Sequence, residues 1–134
     1  MRIKLLENLK ERKKKKVHEH INRLTDRLIS GTFELDDIIA YFQKRKYRFI
    51  GKRHLQVPSY IYKIVSMLFY NPEHGFIVTM WHNHPYEPRY SFRNVSFKYD
   101  KLPISKARNF IKTLEEKEKV EILKEREEVF GRSI

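Results

Sequence analysis

The sequence predicts an α+β fold: N-terminal helices, an antiparallel sheet of three or four strands, and a C-terminal helix. Three observations predict it. Apolar residues recur at helical spacing through the N-terminal part of the chain. Two runs rich in aromatic and β-branched residues then flank the turn-like Asn71–Gly75. Past Ser105 the helical period returns, now heavily charged.

Residues 2–29 hold no Gly or Pro and are dominated by Leu, Lys, Glu and Arg, which favours helix. Val17, Ile21, Leu24 and Leu28 form one apolar stripe, and Ile3, Leu6 and Leu9 can extend it. Lys10 to Lys16 has no apolar residue, so a break is expected there. Ser30, Gly31 and Thr32 end the helix. Residues 34–44 predict a short second helix, with Leu35, Ile38, Ile39 and Phe42 inward. Tyr47 to Ile50 predicts a short strand ended by Gly51. Residues 59–70 and 76–84 predict a hairpin, closed by the Asn-Pro and Gly of 71–75. Residues 89–99, with Ser, Arg, Asn and Lys alternating with aromatics, predict the next strand. Ser105 is the expected N-cap of the last helix. Ile104, Ala107, Ile111 and Leu114 supply its apolar face. Beyond Glu115 it is expected to project or cap the domain edge, with Glu115 and Lys119 as a supporting pair. All helices are expected on one face of the sheet.

At 134 residues the chain suits one domain over 1–134. Within it lie a basic N-terminal helix (1–29), an α+β core (17–114) and a charged C-terminal helix (104–130). There is no cysteine, which excludes disulfides, thiolate metal sites and cysteine nucleophiles. No apolar run approaches the roughly 20 residues that span a bilayer. The expectation is a soluble cytoplasmic protein with no membrane partner.

Charge carries more information. Lys and Arg number 29 against 17 Asp and Glu, a net +12. Residues 1–63 hold 17 basic and 7 acidic side chains, net +10; residues 64–100 hold 3 of each. Such a concentrated positive field attracts polyanions, nucleic acid first. The expected contacts are Lys13, Lys14, Lys15, Lys16 and Arg23 on the first helix. Lys44, Arg45, Lys46, Arg48, Lys52 and Arg53 come next along the chain, then Arg89, Tyr90 and Arg93 near the sheet end. Phosphate contacts of this kind give affinity without sequence preference, so DNA and RNA stay undivided. The bland alternative is a solubilising surface.

The sequence Val78 to Phe92, VTMWHNHPYEPRYSF, raises a second question. His82 and His84 share one face of a strand, because side chains alternate. A pair so placed can hold a divalent ion, with His54, His74 or Glu87 as further ligands. The expectation is nevertheless no metal and no cofactor. A metal-free reading uses His82, His84, Arg89, His20 and Arg27 to cleave RNA. Histidines would move protons near neutral pH, and the arginine forks would hold the phosphate. His18, His20 and His74 also have a plain reading as wet helix and turn residues.

Two family resemblances rest on these residues. The stretch His82 to Pro85 resembles the metal-binding stretch of RadC-like Jab-type metallopeptidases, but Asn94 stands where that family has an acidic ligand. Residues 17–42, VHEHINRLTDRLISGTFELDDIIAYF, resemble the opening of BrnT-like toxins of the RelE/barnase-like ribonuclease superfold. That resemblance runs over about residues 17–99. It implies that His20, Arg23 and Arg27 face an active cleft, with Arg89 or Arg93 as the strand cation. The chain departs from the family by the GTFE of 31–34, its long basic start and its charged tail.

Three functions therefore stand. The first is a nucleic-acid-binding protein. The second is a metal-independent, toxin-like ribonuclease. The third is a regulator of phage or mobile-element type that binds a partner protein through its C-terminal helix. A homodimer is compatible with each.

Overall fold

The computed structural model describes residues 2–58, 62–83, 87–99 and 101–130, the side chains of 2–4 and 129–130 excepted. Helix α1 runs Arg2–Asp26, α2 Leu35–Lys44 and α3 Ile104–Phe130. The strands are β1 Thr32–Phe33, β2 Arg48–Leu55, β3 Lys63–Asn71, β4 Gly75–Asn83 and β5 Tyr90–Lys98. They form one sheet in the order β1-β5-β4-β3-β2, antiparallel throughout. The α+β class holds. The strand number is five, not three or four. A two-residue β1 pairs Thr32 with Ser91 and Phe33 with Tyr90, too short a contact for any periodicity to announce.

The sheet is covered on both faces, which corrects the expectation of helices on one. The stripe Val17, Ile21, Leu24 and Leu28 of α1 packs with Ile38 and Phe42 of α2. These meet Val65, Met67 and Phe69 of β3 and Ile77 and Trp81 of β4. The alternate residues belong to the other face. Ile64 and Leu68 of β3, with Phe76, Val78 and Met80 of β4, pack under Ala107 and Ile122 of α3. β3 and β4 are thus buried at nearly every position, and their central residues are mostly apolar on both faces.

α3 therefore neither projects nor caps an edge; it lies across the sheet. Its start also differs from expectation. The helix begins at Ile104, and the Ala107 amide donates to the Pro103 carbonyl, so Ser105 sits inside the first turn. Glu115 is not paired with Lys119 in a solvated row but is only 3% exposed against the sheet. α1 does not break at its lysines; it is continuous from residue 2 to 26. Gly51 does not end β2, which runs on to Leu55 with a bulge at Ile50. The residues ahead of β3 fall partly outside the described residues; β3 itself begins at Lys63.

Two local devices aim side chains toward one end of the sheet. α2 ends in a Schellman motif, with the Tyr47 amide donating to the Phe42 carbonyl and the Lys46 amide to that of Gln43. Lys46 occupies the left-handed position usually given to glycine, at φ 67°. The accompanying contact between the Tyr47 and Phe42 rings, 6.1 Å apart, folds Tyr47 back under α2. The β3–β4 turn is shaped by Asn71. Its Oδ1 accepts from the amides of Glu73 and His74 at 2.8 and 3.0 Å. Its Nδ2 donates to the Lys46 carbonyl at 2.9 Å, which ties the turn to the end of α2.

Candidate functional site

The α2 terminus and the Asn71 turn bring three side chains from three elements together. Tyr47 leaves the end of α2, His74 comes from the β3–β4 turn, and His20 comes from α1. The Tyr47 hydroxyl and Nδ1 of His74 are 2.7 Å apart. The His20 and His74 rings have centroids 4.9 Å apart, and the His20 ring lies nearly parallel to that of Tyr47 at 6.4 Å. Burial pushes the Tyr47 phenol up to about 12, because a phenolate is costly away from water. Tyr47 therefore keeps its proton, and its hydroxyl either donates to Nδ1 of His74 or accepts from it, according to the imidazole tautomer. His20 is held below the usual histidine value by burial, with smaller contributions from His74 and Arg23. At neutral pH its imidazole is uncharged and can accept a proton.

A cleft of about 400 Å³ opens beside His20, lined by Arg23, Leu24, Asp26, Arg27, Tyr41 and Arg45. Three cations from the C-terminal ends of α1 and α2 thus border one space: Arg23 within α1, Arg27 just past it and Arg45 capping α2, with Asp26 as the acid among them. Arg45 is fixed, not loose. Its guanidinium carbon lies 3.5 Å over the Tyr41 ring, and its Nη1 donates to the Tyr41 carbonyl at 2.8 Å. Tyr41 in turn donates to the Leu24 carbonyl at 2.6 Å, which joins the two helices. A planar guanidinium stacked in this way loses little further freedom on meeting a phosphate.

The other sequence-predicted residues lie elsewhere. His82 stands near the far end of β4, eight residues from His74 and so roughly 25 Å along the strand. It faces α3, whereas His20 packs on the opposite face. The arrangement does not bring His82 together with His20 and Arg27. Its Nε2 is 2.8 Å from Nη1 of Arg93. Burial and the neighbouring Arg93 charge lower it to about 4. His84 lies outside the described residues, so the His82–His84 pairing is not described. Among the described residues, no group of three His, Asp or Glu side chains is arranged to hold a metal ion.

Arg93 sits in a bulge of β5, where Met80 pairs with Asn94 and Trp81 with Phe92. The extra residue lets Arg93 and Asn94 both reach α3. Arg93 pairs with Glu118 and, at 3.4 Å, with Glu125. Asn94 donates to Glu118 at 2.7 Å. Arg53 pairs with Glu115 at 3.2 Å, and the Ser66 hydroxyl donates to the same carboxylate at 2.7 Å. Tyr90 is buried in the core. Lys13, Lys14, Lys15 and Lys16 are exposed on α1, and Lys44, Lys46, Arg48, Lys52 and Arg89 are exposed as well.

Sequence reasoning thus placed His20, Arg23, Arg27 and Arg45 among its candidates but read His74 as a turn residue and passed over Tyr47. The available signal was Asn71-Pro72 with Gly75: a turn so constrained fixes the direction of whatever it carries.

Fold and site together define a class: an antiparallel α+β protein with a cationic, histidine-bearing cleft at one end of its sheet. The sequence matches no protein-family model, and neither a curated protein nor a solved structure matches it at a significant level. No helix among the described residues is long and apolar enough to cross a membrane.

Proposed function

We propose that the protein binds nucleic acid through its phosphates, with the cleft of His20, Arg23, Arg27 and Arg45 as the closest contact. One observation carries this reading: three arginines at the C-terminal ends of two helices border a single cleft, one of them already stacked and oriented. The exposed lysines 13–16 add long-range attraction. Arg53 and Arg93 contribute less than the sequence implied, because glutamates of α3 engage both. Gel retardation of labelled RNA and DNA across a salt series tests it. Retention should fall steeply with salt and drop in Arg23→Ala, Arg27→Ala and Arg45→Ala. Retention unaltered in the triple variant would remove the cleft from the reading.

A second reading, metal-independent cleavage of RNA, is favoured by the His20–His74–Tyr47 cluster. A neutral His20 would take the proton from a 2′-hydroxyl as it attacks the adjacent phosphorus. His74, as an imidazolium held in place by the Tyr47 hydroxyl, would give a proton to the departing 5′-oxygen, and the arginines would hold the charge on the phosphorane. Cleavage that persists in chelator and vanishes in His20→Ala and His74→Ala would select this reading. Intact substrate under all conditions would leave binding alone.

A further inference from the structure

The α3 side of the sheet holds a cavity remote from the cleft of His20 and the arginines. It lies between β2, an edge strand, and the first half of α3, with a volume of about 270 Å³. Ile50, Leu68 and Ile111 form its apolar floor. Arg53, Arg108 and Lys112 stand around it, with Lys52 also in the wall. The cavity has a local cause. Gly51 pairs with Leu68, so both positions face α3. A Cβ at Gly51 would have no atom within 4 Å, and the space a side chain would fill stays open.

Its charge is of one sign. Residues 38–72 and 101–114 supply the whole lining and contain no Asp or Glu. The first acid after them on α3, Glu115, is already engaged by Arg53 at 3.2 Å and by the Ser66 hydroxyl at 2.7 Å. Lys52, Arg53, Arg108 and Lys112 against Glu115 leave a net +3. Glu116 follows one turn past Lys112 but lies outside the lining. Among the described residues, neither Arg108 nor Lys112 has a carboxylate at ion-pair distance. Both are exposed, and their charge is available.

Beyond these cations the side chains of the lining offer little polar chemistry. The Ser66 hydroxyl is spent on Glu115; the rest are aliphatic. A nucleobase edge would find no side-chain partner on this floor, whereas an alkyl chain needs none. The apolar surface also continues. A neighbouring space of about 470 Å³ shares Ile50 and Arg108 and adds Tyr70, Phe76, Leu102 and Ile104. We infer that the groove between β2 and α3 binds a single-tailed amphiphilic anion. Arg108 and Lys112 hold its carboxylate or phosphate head. Its alkyl chain lies on Ile50, Leu68 and Ile111 and runs on toward Tyr70 and Phe76.

Calorimetric titration of the whole chain tests this. The probes are inorganic phosphate, then butyl, hexyl and octyl phosphate, with octanoate as the carboxylate and octylammonium as the cation. Octyl phosphate should bind once per chain, and affinity should rise roughly two- to fourfold for each CH2 added. Octylammonium should not bind. Whichever of octanoate and octyl phosphate binds more tightly identifies the head, and either agrees with the inference. Gly51→Leu fills the cavity without changing a charge, at a position that is not held at positive φ. It should weaken octyl phosphate by roughly tenfold or more, the worth of about two CH2 groups, with its urea midpoint kept. Arg108→Glu with Lys112→Glu, at exposed helix positions, should do the same and keeps the test intact if Gly51→Leu disturbs the strand. Arg23→Ala with Arg27→Ala should leave octyl phosphate binding unchanged, and Gly51→Leu should keep nucleic-acid retention, so the two sites fail separately. Affinity that ignores chain length overturns the inference. So does equal binding of octylammonium, or octyl phosphate binding unaltered in both groove variants. If the wild type binds no octyl phosphate and the Arg108 and Lys112 variant loses nucleic-acid retention, the groove belongs to nucleic acid and the inference is likewise overturned.

Discussion

Replacing Arg93 by alanine separates a structural from a nucleic-acid role for that residue. The Arg93 side chain is 16% exposed and that of Glu118 only 4%. Removing the guanidinium leaves the buried Glu118 carboxylate with the Asn94 amide as its neutralising dipole. It also takes the donor from Nε2 of His82. Breaking a buried pair from one side leaves an uncompensated charge, and such losses run to about 3–5 kcal/mol. Against a total stability of roughly 5–15 kcal/mol, that is a large fraction. Urea unfolding of Arg93→Ala should show it as a lowered midpoint with an unchanged slope. Changing both partners, to Arg93→Met with Glu118→Gln, should recover most of the loss, because neither charge is then buried. The folded fraction of the single variant should retain nucleic acid as the wild type does. A loss below about 1 kcal/mol, the range of exposed pairs, would refute the reasoning. A normal midpoint with lost retention would return Arg93 to the nucleic-acid surface.

Three further outcomes rest on the same geometry. His82 binds its proton at about 4 in the folded protein and at 6.5 when unperturbed. The unfolded chain therefore holds more protons between those values, so stability is complete above pH 6.5 and falls as pH drops toward 4. The effect should be on the order of 2 kcal/mol, at about 1.4 per unit with allowance for water at the ring. His82→Gln should flatten this part of the pH profile of urea midpoints. In salt titrations of nucleic-acid affinity, Arg23→Ala and Arg27→Ala should each reduce the log–log slope by about one, whereas Arg93→Ala should leave it unchanged. Lys46→Gly should raise stability by about 1 kcal/mol in thermal unfolding, since it relieves a lysine held at φ 67°. Unchanged or lowered stability would show that the Lys46 side chain offsets its backbone strain by a contact of its own.

Much of the fold was legible in the sequence because its signals are local. The α1 stripe, the Asn71–Gly75 turn and the β3–β4 hairpin each announce themselves within a few residues. The site was half legible. His20 and Arg23 lie on α1 and Arg27 directly follows it, and their spacing of three and four residues directs all three to one side. His74 and Tyr47 were not legible as partners, because 27 residues separate them and only the folded chain closes that gap.

By itself, then, the sequence determined the α+β class, the helical and strand periods, and the basic bias of the N-terminal half. Each of these comes from composition or from spacing along one element. Only the tertiary structure decided which charges are available. Glu115 and Glu118 read as a solvated tail. They are buried because α3 crosses the second face of the sheet, and a carboxylate placed there requires a cation, which Arg53 and Arg93 supply. Charge number is additive along a chain, but charge availability depends on which opposite charges and how much water lie within a few ångströms.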